Sequence, residues 1–374
     1  MATKPAKPEV TETENTPKPA TKAGWKNKLI LGVMALVAAV GIGILALRLP
    51  VGDARPEDAL KETWKAMQEK SLMAFETHVD VSRLTQSFMD QLVETEALRK
   101  KSAESGLDQV KSVFTQGLMG LFGAELNDRF SGQLRNFVTT GQFGANPMEK
   151  GVLPELWAVT GKNPQAYQGY TVVYKDQQKA EIALIFAPKT LGGEQLELHL
   201  NLEKVTPSDS KPVWKIVGIS NLPAFYQRLD ALKAARLEAL NAPIRKAIEE
   251  SIHVTDSSKS SGVSEWGIGK GVMLRLAYEN TSARPITALG ATVQIIDADG
   301  TLLREVTLTD SDTLTPGATA EKAWPMTINP LSKNDGRIFD AGENDLTLKV
   351  SVTKVQFADG TTLKLYQNLD EAAH

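Results

Sequence analysis

The chain has 374 residues, 42 Lys and Arg against 45 Asp and Glu, a formal net charge of −3, and 42% hydrophobic residues. That is apolar material for more than one core, so a single small domain and a wholly disordered chain are both excluded. The balanced charge carries no basic stripe, which argues against a nucleic-acid partner, and the absence of cysteine excludes disulfides, thiolate metal sites and lipid attachment at a cysteine.

Residues 1–28 are rich in Pro, Lys, Thr and Glu, hold six Lys against three Glu, and predict a disordered tail. Leu29 to Leu47 are nineteen residues without a charge, about 28 Å as a helix, close to the thickness of a bilayer core. The expectation is a transmembrane signal anchor over 29–48, contacting the lipid bilayer through residues 29–47. Lys22, Lys26 and Lys28 flank it on one side, and Arg48 with Asp53, Arg55, Glu57 and Asp58 on the other. The positive-inside rule then puts the N-terminus in the cytoplasm and the bulk outside a cytoplasmic (inner) membrane.

Beyond Pro56 the apolar residues take helical spacing: Leu60, Trp64 and Met67, continued by Leu72 and Phe75. After a break at Val79-Asp80, with Ser82 as N-cap, Leu84, Phe88 and Leu92 mark a second helix. Leu107 to Leu121 predict a third and Leu126, Phe130, Leu134 and Phe137 a fourth. From Gly169 the period becomes two, with strands over 169–175, 180–187, 195–204 and 212–220; Leu196, Leu198, Leu200 and Leu202 alternate with polar residues, as a sheet with one buried face requires. Helices followed by an antiparallel meander describe an α+β domain over 56–222. A connecting helix is expected over 223–254, kinked or divided at Pro243, then a linker at 255–265 from its Ser-rich composition. Short strands with turns at Asn280, Asp299-Gly300, Pro316-Gly317 and Asp359-Gly360 predict an all-β sandwich over 266–370.

Two resemblances follow from particular residues. His78-Val79-Asp80-Val81, Arg83-Leu84, Gln91-Leu92 and the later Trp214-Lys215-Ile216-Val217-Gly218-Ile219 resemble a bacterial membrane-anchored family of uncharacterised proteins. The resemblance implies a signal anchor before helices and a curved sheet similar to the ketosteroid-isomerase-like cone fold. No activity is established for that family, so topology and location are implied rather than chemistry. Leu274-x-Leu276, Glu279-Asn280-Thr281-Ser282, Val293-x-Ile295, Asp297 to Gly300 and Leu314-x-Pro316-Gly317 resemble immunoglobulin-like domains of the FxLYD type. That implies a binding or spacer module.

Candidate chemistry is sparse. A cone's pocket would place His78, Asp80 and Tyr170 on its wall, although Asp80 reads more readily as a cap or turn acceptor beside the second helix. Ser208 to Lys211 fits S-x-x-K but sits in a hairpin turn, and Gly267 to Gly271 lacks the length and the Ser or Thr of a phosphate loop. Asp297 and Asp299, with Asp310 and Asp312 nearby, form too short a run of oxygens for an EF-hand. The four His residues show no ligand spacing, so no metal and no cofactor is expected. Trp266 and Trp324 are expected at sandwich edges as partner contacts. The resulting expectation is a membrane-anchored, extracytoplasmic, non-catalytic binding or scaffold protein contacting other envelope proteins. The alternative is a small-molecule or lipid sensor or carrier using a pocket in the cone-like domain.

Overall fold

The computed structural model describes residues 55–103, 127–128, 130–141, 155–156, 159–160, 164–206, 211–263, 270–342 and 345–373. The chain forms two compact units, the first ending at Tyr226 and the second built chiefly from Gln227–His374.

In the first unit, α1 (Pro56–Gln68) begins with Pro at its first turn, and Asp58 accepts from the Arg55 amide at 2.9 Å. Its buried stripe is Ala59, Leu60, Thr63 and Ala66, so the inward face is rotated from the expected one, and Trp64 and Met67 are only half-buried. The helix ends at Lys70, whose φ of 54 lies in the left-handed region, and the Ser71 amide returns to the Ala66 carbonyl at 2.8 Å. Ser71 then caps α2 (Leu72–His78). The expected break at Val79-Asp80 is extended: Val79 bridges Ile216 and the Asp80 amide donates to the Ile216 carbonyl at 2.9 Å. The cap of α3 (Val81–Ala103) is Asp80, whose Oδ1 accepts from the Arg83 amide at 3.1 Å, rather than Ser82.

The sheet is an antiparallel meander, β1 (Tyr167–Lys175), β2 (Lys179–Phe186), β3 (Leu196–Val205) and β4 (Val213–Ile219), in that spatial order. Ile182, Leu184 and Phe186 from β2 and Leu196 to Leu202 from β3 share one face with Ile216 and Ile219. That face is closed to solvent, as are Leu60, Phe75, Leu84 and Phe88 of the helices. Each such burial stabilises by about 1.5–3 kcal/mol as an upper estimate.

In the second unit, α4 (Leu222–Ser251), which starts in the first, runs unbroken past Pro243. Pro243 is exposed, so water can satisfy the carbonyl that its missing N–H leaves free. The expected linker is a strand: β5 (Ile252–Val263) pairs with β6 (Lys270–Asn280) along its whole length. Its polar composition is that of a sheet edge, in the order β5-β6-β9 with β9 (Thr319–Thr327). A second sheet has the order β11-β10-β7-β8, from β7 (Ile286–Asp297), β8 (Leu302–Asp310), β10 (Leu346–Phe357) and β11 (Thr362–Lys364). Leu274, Leu276, Val293, Ile295, Val355 and Phe357 belong to one buried cluster, which makes the arrangement sandwich-like. The unit is not all-β, because α5 (Lys333–Asp340) buries Ile338 in that cluster.

The expected fold is therefore corrected. Where a transmembrane helix, a cone-like domain and an all-β immunoglobulin-like sandwich are expected, the described residues form an α+β chain with three antiparallel sheets. No helix among the described residues is long and apolar enough to cross a membrane. The longest, α4, carries Arg228, Asp230, Lys233 and Arg236 within its first half. The run 29–47, the helix expected over 107–121 and Trp266 lie outside the described residues.

Candidate functional site

The expected wall residues lie at two places on the sheet, His78 and Asp80 against β4 and Tyr170 on β1. His78 closes α2, with Nδ1 3.4 Å from the Trp214 carbonyl, and burial lowers its pKa from the ordinary value. Asp80 is a helix cap. Tyr170 lies on β1, at the opposite edge of the sheet from the strand that His78 and Asp80 touch; burial, then the nearby Glu57 carboxylate, raise its pKa. Trp324 is on edge strand β9 as expected, but half-buried, with its indole N–H donated to the Thr309 carbonyl at 2.9 Å. The acidic turn residues are likewise engaged. Arg337 reaches Asp297 and Asp299, Tyr278 donates to Asp310, and Lys322 pairs with Asp312. Among the described residues no group of three or more His, Cys, Asp or Glu could hold a metal ion.

A concave feature of the first unit is a cleft of about 700 Å³ between the polar flank of α3 and the polar face of the sheet. Helical spacing puts Ser82, Arg83, Gln86, Ser87 and Asp90 on one flank of α3, while Leu84, Phe88 and Leu92 turn inward. The sheet contributes Lys179 and Glu181 from β2, Asn201 and Glu203 from β3, and Gly218 from β4, with Tyr174 from β1. None of His78, Asp80 or Tyr170 lines it. The floor is fixed by a close approach: Ser87 Oγ donates to the Ile219 carbonyl at 3.0 Å and accepts from its amide at 3.1 Å. A Cβ on Gly218 would stand 2.7 Å from that same Oγ, so only glycine lets α3 come so near.

Arg83 and Glu203 form an ion pair inside the cleft, whereas the partners of Glu181, which are His199 and Ser220, lie beyond its lining. Arg83 grips Glu203 through both nitrogens, at 2.6 and 3.0 Å, and that hydrogen bonding holds the Glu203 carboxyl below its ordinary range. Gln86 donates to Asp90 at 2.8 Å. Burial pushes the Glu181 carboxyl up, but hydrogen bonds from His199 Nδ1 at 2.8 Å and Ser220 Oγ at 2.9 Å outweigh it and leave the group below its usual value. The Ser220–Glu181–His199 chain thus runs hydroxyl, carboxylate, imidazole. An activated nucleophile needs the imidazole against the hydroxyl, and here the carboxylate stands between them.

The alternation in 196–203 already put Asn201 and Glu203 on a polar face, and Arg83 appeared in the sequence motif. Their convergence joins residues more than a hundred positions apart, which no local spacing reveals.

No protein-family model matches the chain, and no curated protein matches it. Among solved structures, one of a hypothetical protein from Peptoclostridium difficile 630 is similar at 11% identity and a TM-score of 0.22, covering 30% of this chain and 86% of that one.

Proposed function

We propose that the chain is a non-catalytic binding protein, tethered to the outer face of a cytoplasmic membrane by residues 29–47, whose first unit takes up a polar ligand in the α3–sheet cleft. One observation supports the reading above the others: a concavity of about 700 Å³ dense in polar side chains, with Arg83 and Glu203 held in a fixed ion pair. Such a site presents oriented donors and acceptors without a base aimed at a nucleophile, which favours holding a ligand over turning it over. The tether rests on the uncharged run and the lysines before it.

The scaffold reading keeps one observation of its own. Val172, Val173 and Tyr174 on edge strand β1, with Val205 of β3, are exposed apolar side chains. The two readings separate by incubating the full-length chain with a small-molecule extract of the cell envelope, isolating it rapidly and analysing what it retains by mass spectrometry. Retention of a small molecule by the wild type and its loss in Asn201→Ala supports the cleft. Retention of nothing, with photocrosslinking of a protein through position 173, replaces the cleft with the scaffold.

A further inference from the structure

The cleft's chemistry is specific enough to name a ligand class, an inference that rests on the binding reading just given. Its ionisable side chains are two cations, Arg83 and Lys179, and three carboxylates, Asp90, Glu181 and Glu203. The carboxylates outnumber the cations by one, with the two signs interspersed. A phosphate or other anion meets more carboxylate than cation there, and a cation meets Arg83 and Lys179. Long-range attraction therefore selects neither.

What the cleft offers instead is a density of hydrogen-bonding groups of both polarities. Each Glu203 oxygen takes one bond from Arg83 and keeps a further lone pair. Gln86 has spent one amide hydrogen on Asp90 and keeps its carbonyl oxygen. Asn201 is half-buried in the cleft, and its side-chain amide makes no hydrogen bond among the described residues. An amide partly withdrawn from water with its donors and acceptor unused is a group awaiting a partner. Vicinal hydroxyls are that partner, because each both donates and accepts.

The second independent feature is Tyr174. The residue is 51% exposed at the cleft, and its hydroxyl is held by Asp176 at 2.5 Å. The tethered hydroxyl orients a ring that gains nothing from its present exposure, leaving a flat apolar face beside a polar groove. A pyranose ring has the matching character, hydroxyls around its rim and C–H bonds on its faces.

We infer that the cleft binds a neutral glycan, with Asn201 and the Arg83–Glu203 pair bonding its hydroxyls and Tyr174 packing on a sugar face. A volume of about 700 Å³ exceeds what a lone monosaccharide fills, so an oligosaccharide is the natural occupant.

The test uses the full chain in lipid nanodiscs, free of sugar-based detergent, titrated calorimetrically with three neutral tetrasaccharides: chitotetraose, cellotetraose and maltotetraose. Inorganic phosphate and choline are titrated in parallel. At least one tetrasaccharide is expected to bind, with affinity about fivefold to tenfold weaker in Asn201→Ala and in Tyr174→Ala. Both variants should melt with the wild type, since neither removes a core contact. No binding of any tetrasaccharide, or binding that neither variant weakens, overturns the inference. Phosphate or choline binding that Asn201→Ala weakens, without glycan binding, overturns the glycan assignment and leaves the binding reading standing. Inertness toward all five probes, together with no ligand retained from envelope extract, removes both.

Discussion

Gly218→Ala is the sharpest single perturbation of the cleft, because the structure states what the added methyl meets. Its Cβ would lie 2.7 Å from Ser87 Oγ and 3.0 Å from Ser87 Cβ. Two escapes exist. Ser87 can rotate away, abandoning both bonds to Ile219, at about 1 kcal/mol net for each. Alternatively α3 can lift off β4, an overpacking adjustment of about 1–3 kcal/mol. Either way the variant loses about 2 kcal/mol, and the loss is local to the α3–β4 contact.

A double-mutant cycle identifies the cause. Ser87→Ala alone forfeits the two bonds, for about 1–2 kcal/mol. Adding Gly218→Ala on that background no longer meets the oxygen, so the second step should cost about 1 kcal/mol or less, a coupling of about 1 kcal/mol. With two units in the chain, global unfolding is not one transition. The assay is therefore hydrogen exchange in peptides covering 81–92 and 213–220, where the protection lost gives the local free energy. Equal costs of Gly218→Ala with and without Ser87 would refute the close-approach argument, as would unchanged exchange in the single variant.

Four further outcomes are expected. Asn280→Ala should destabilise the second unit by about 2–4 kcal/mol, because this fully buried amide donates to the Arg284 and Leu314 carbonyls and accepts from Ser282; exchange rates at 280–286 and 312–316 report it. Burial lowers the His78 pKa in the fold, so the unfolded chain binds the extra proton and stability falls as pH drops below about 6.5; His78→Gln should flatten urea midpoints between pH 7 and 5. Glu203, held below its ordinary value by Arg83, contributes stability present above the unfolded carboxylate pKa and lost as pH falls through the folded one; Arg83→Gln should therefore shrink the loss seen below pH 5. A periplasmic-type reporter fused after His374 should be active only outside the cytoplasm, and cytoplasmic activity would overturn the orientation.

Periodicity made the first unit's sheet legible. The alternating leucines of β3 place its strands within two residues of the observed ones, because apolar burial follows the two-residue period of the backbone. Composition misled at β5, where Thr255 to Val263 look solvated. The strand is held by backbone pairing with β6, by Lys259 Nζ donating to the Ala341 carbonyl at 2.5 Å, and by Ser261 Oγ donating to the Phe339 carbonyl at 2.7 Å. α5 went unforeseen because Lys333 to Asp340 is mostly polar, and only Ile338 is sunk in the core. The cleft was illegible for a related reason: Arg83, Asn201 and Glu203 are ordinary surface residues until tertiary packing aligns them.

One device recurs where hydropathy is silent. Asn221 accepts from the His199 amide and donates to the Glu197 carbonyl, both at 2.8 Å, so a side chain prolongs β4 past Ile219. Asn241 accepts from the Tyr366 amide and donates to its carbonyl at 2.8 and 3.0 Å, and Ser87 does the same for Ile219. Each is one polar side chain supplying both halves of a strand's backbone pairing, where an open sheet edge would otherwise recruit another chain. A chain without cysteine closes its edges this way. Strand β1 is protected differently, by two register shifts and a terminal lysine, devices that twist an edge away and charge it. Its exposed Val172 and Val173 then need no covering partner to be tolerated. In the α3–sheet cleft the unspent hydrogen-bonding capacity is of another kind, the side-chain amide of half-buried Asn201.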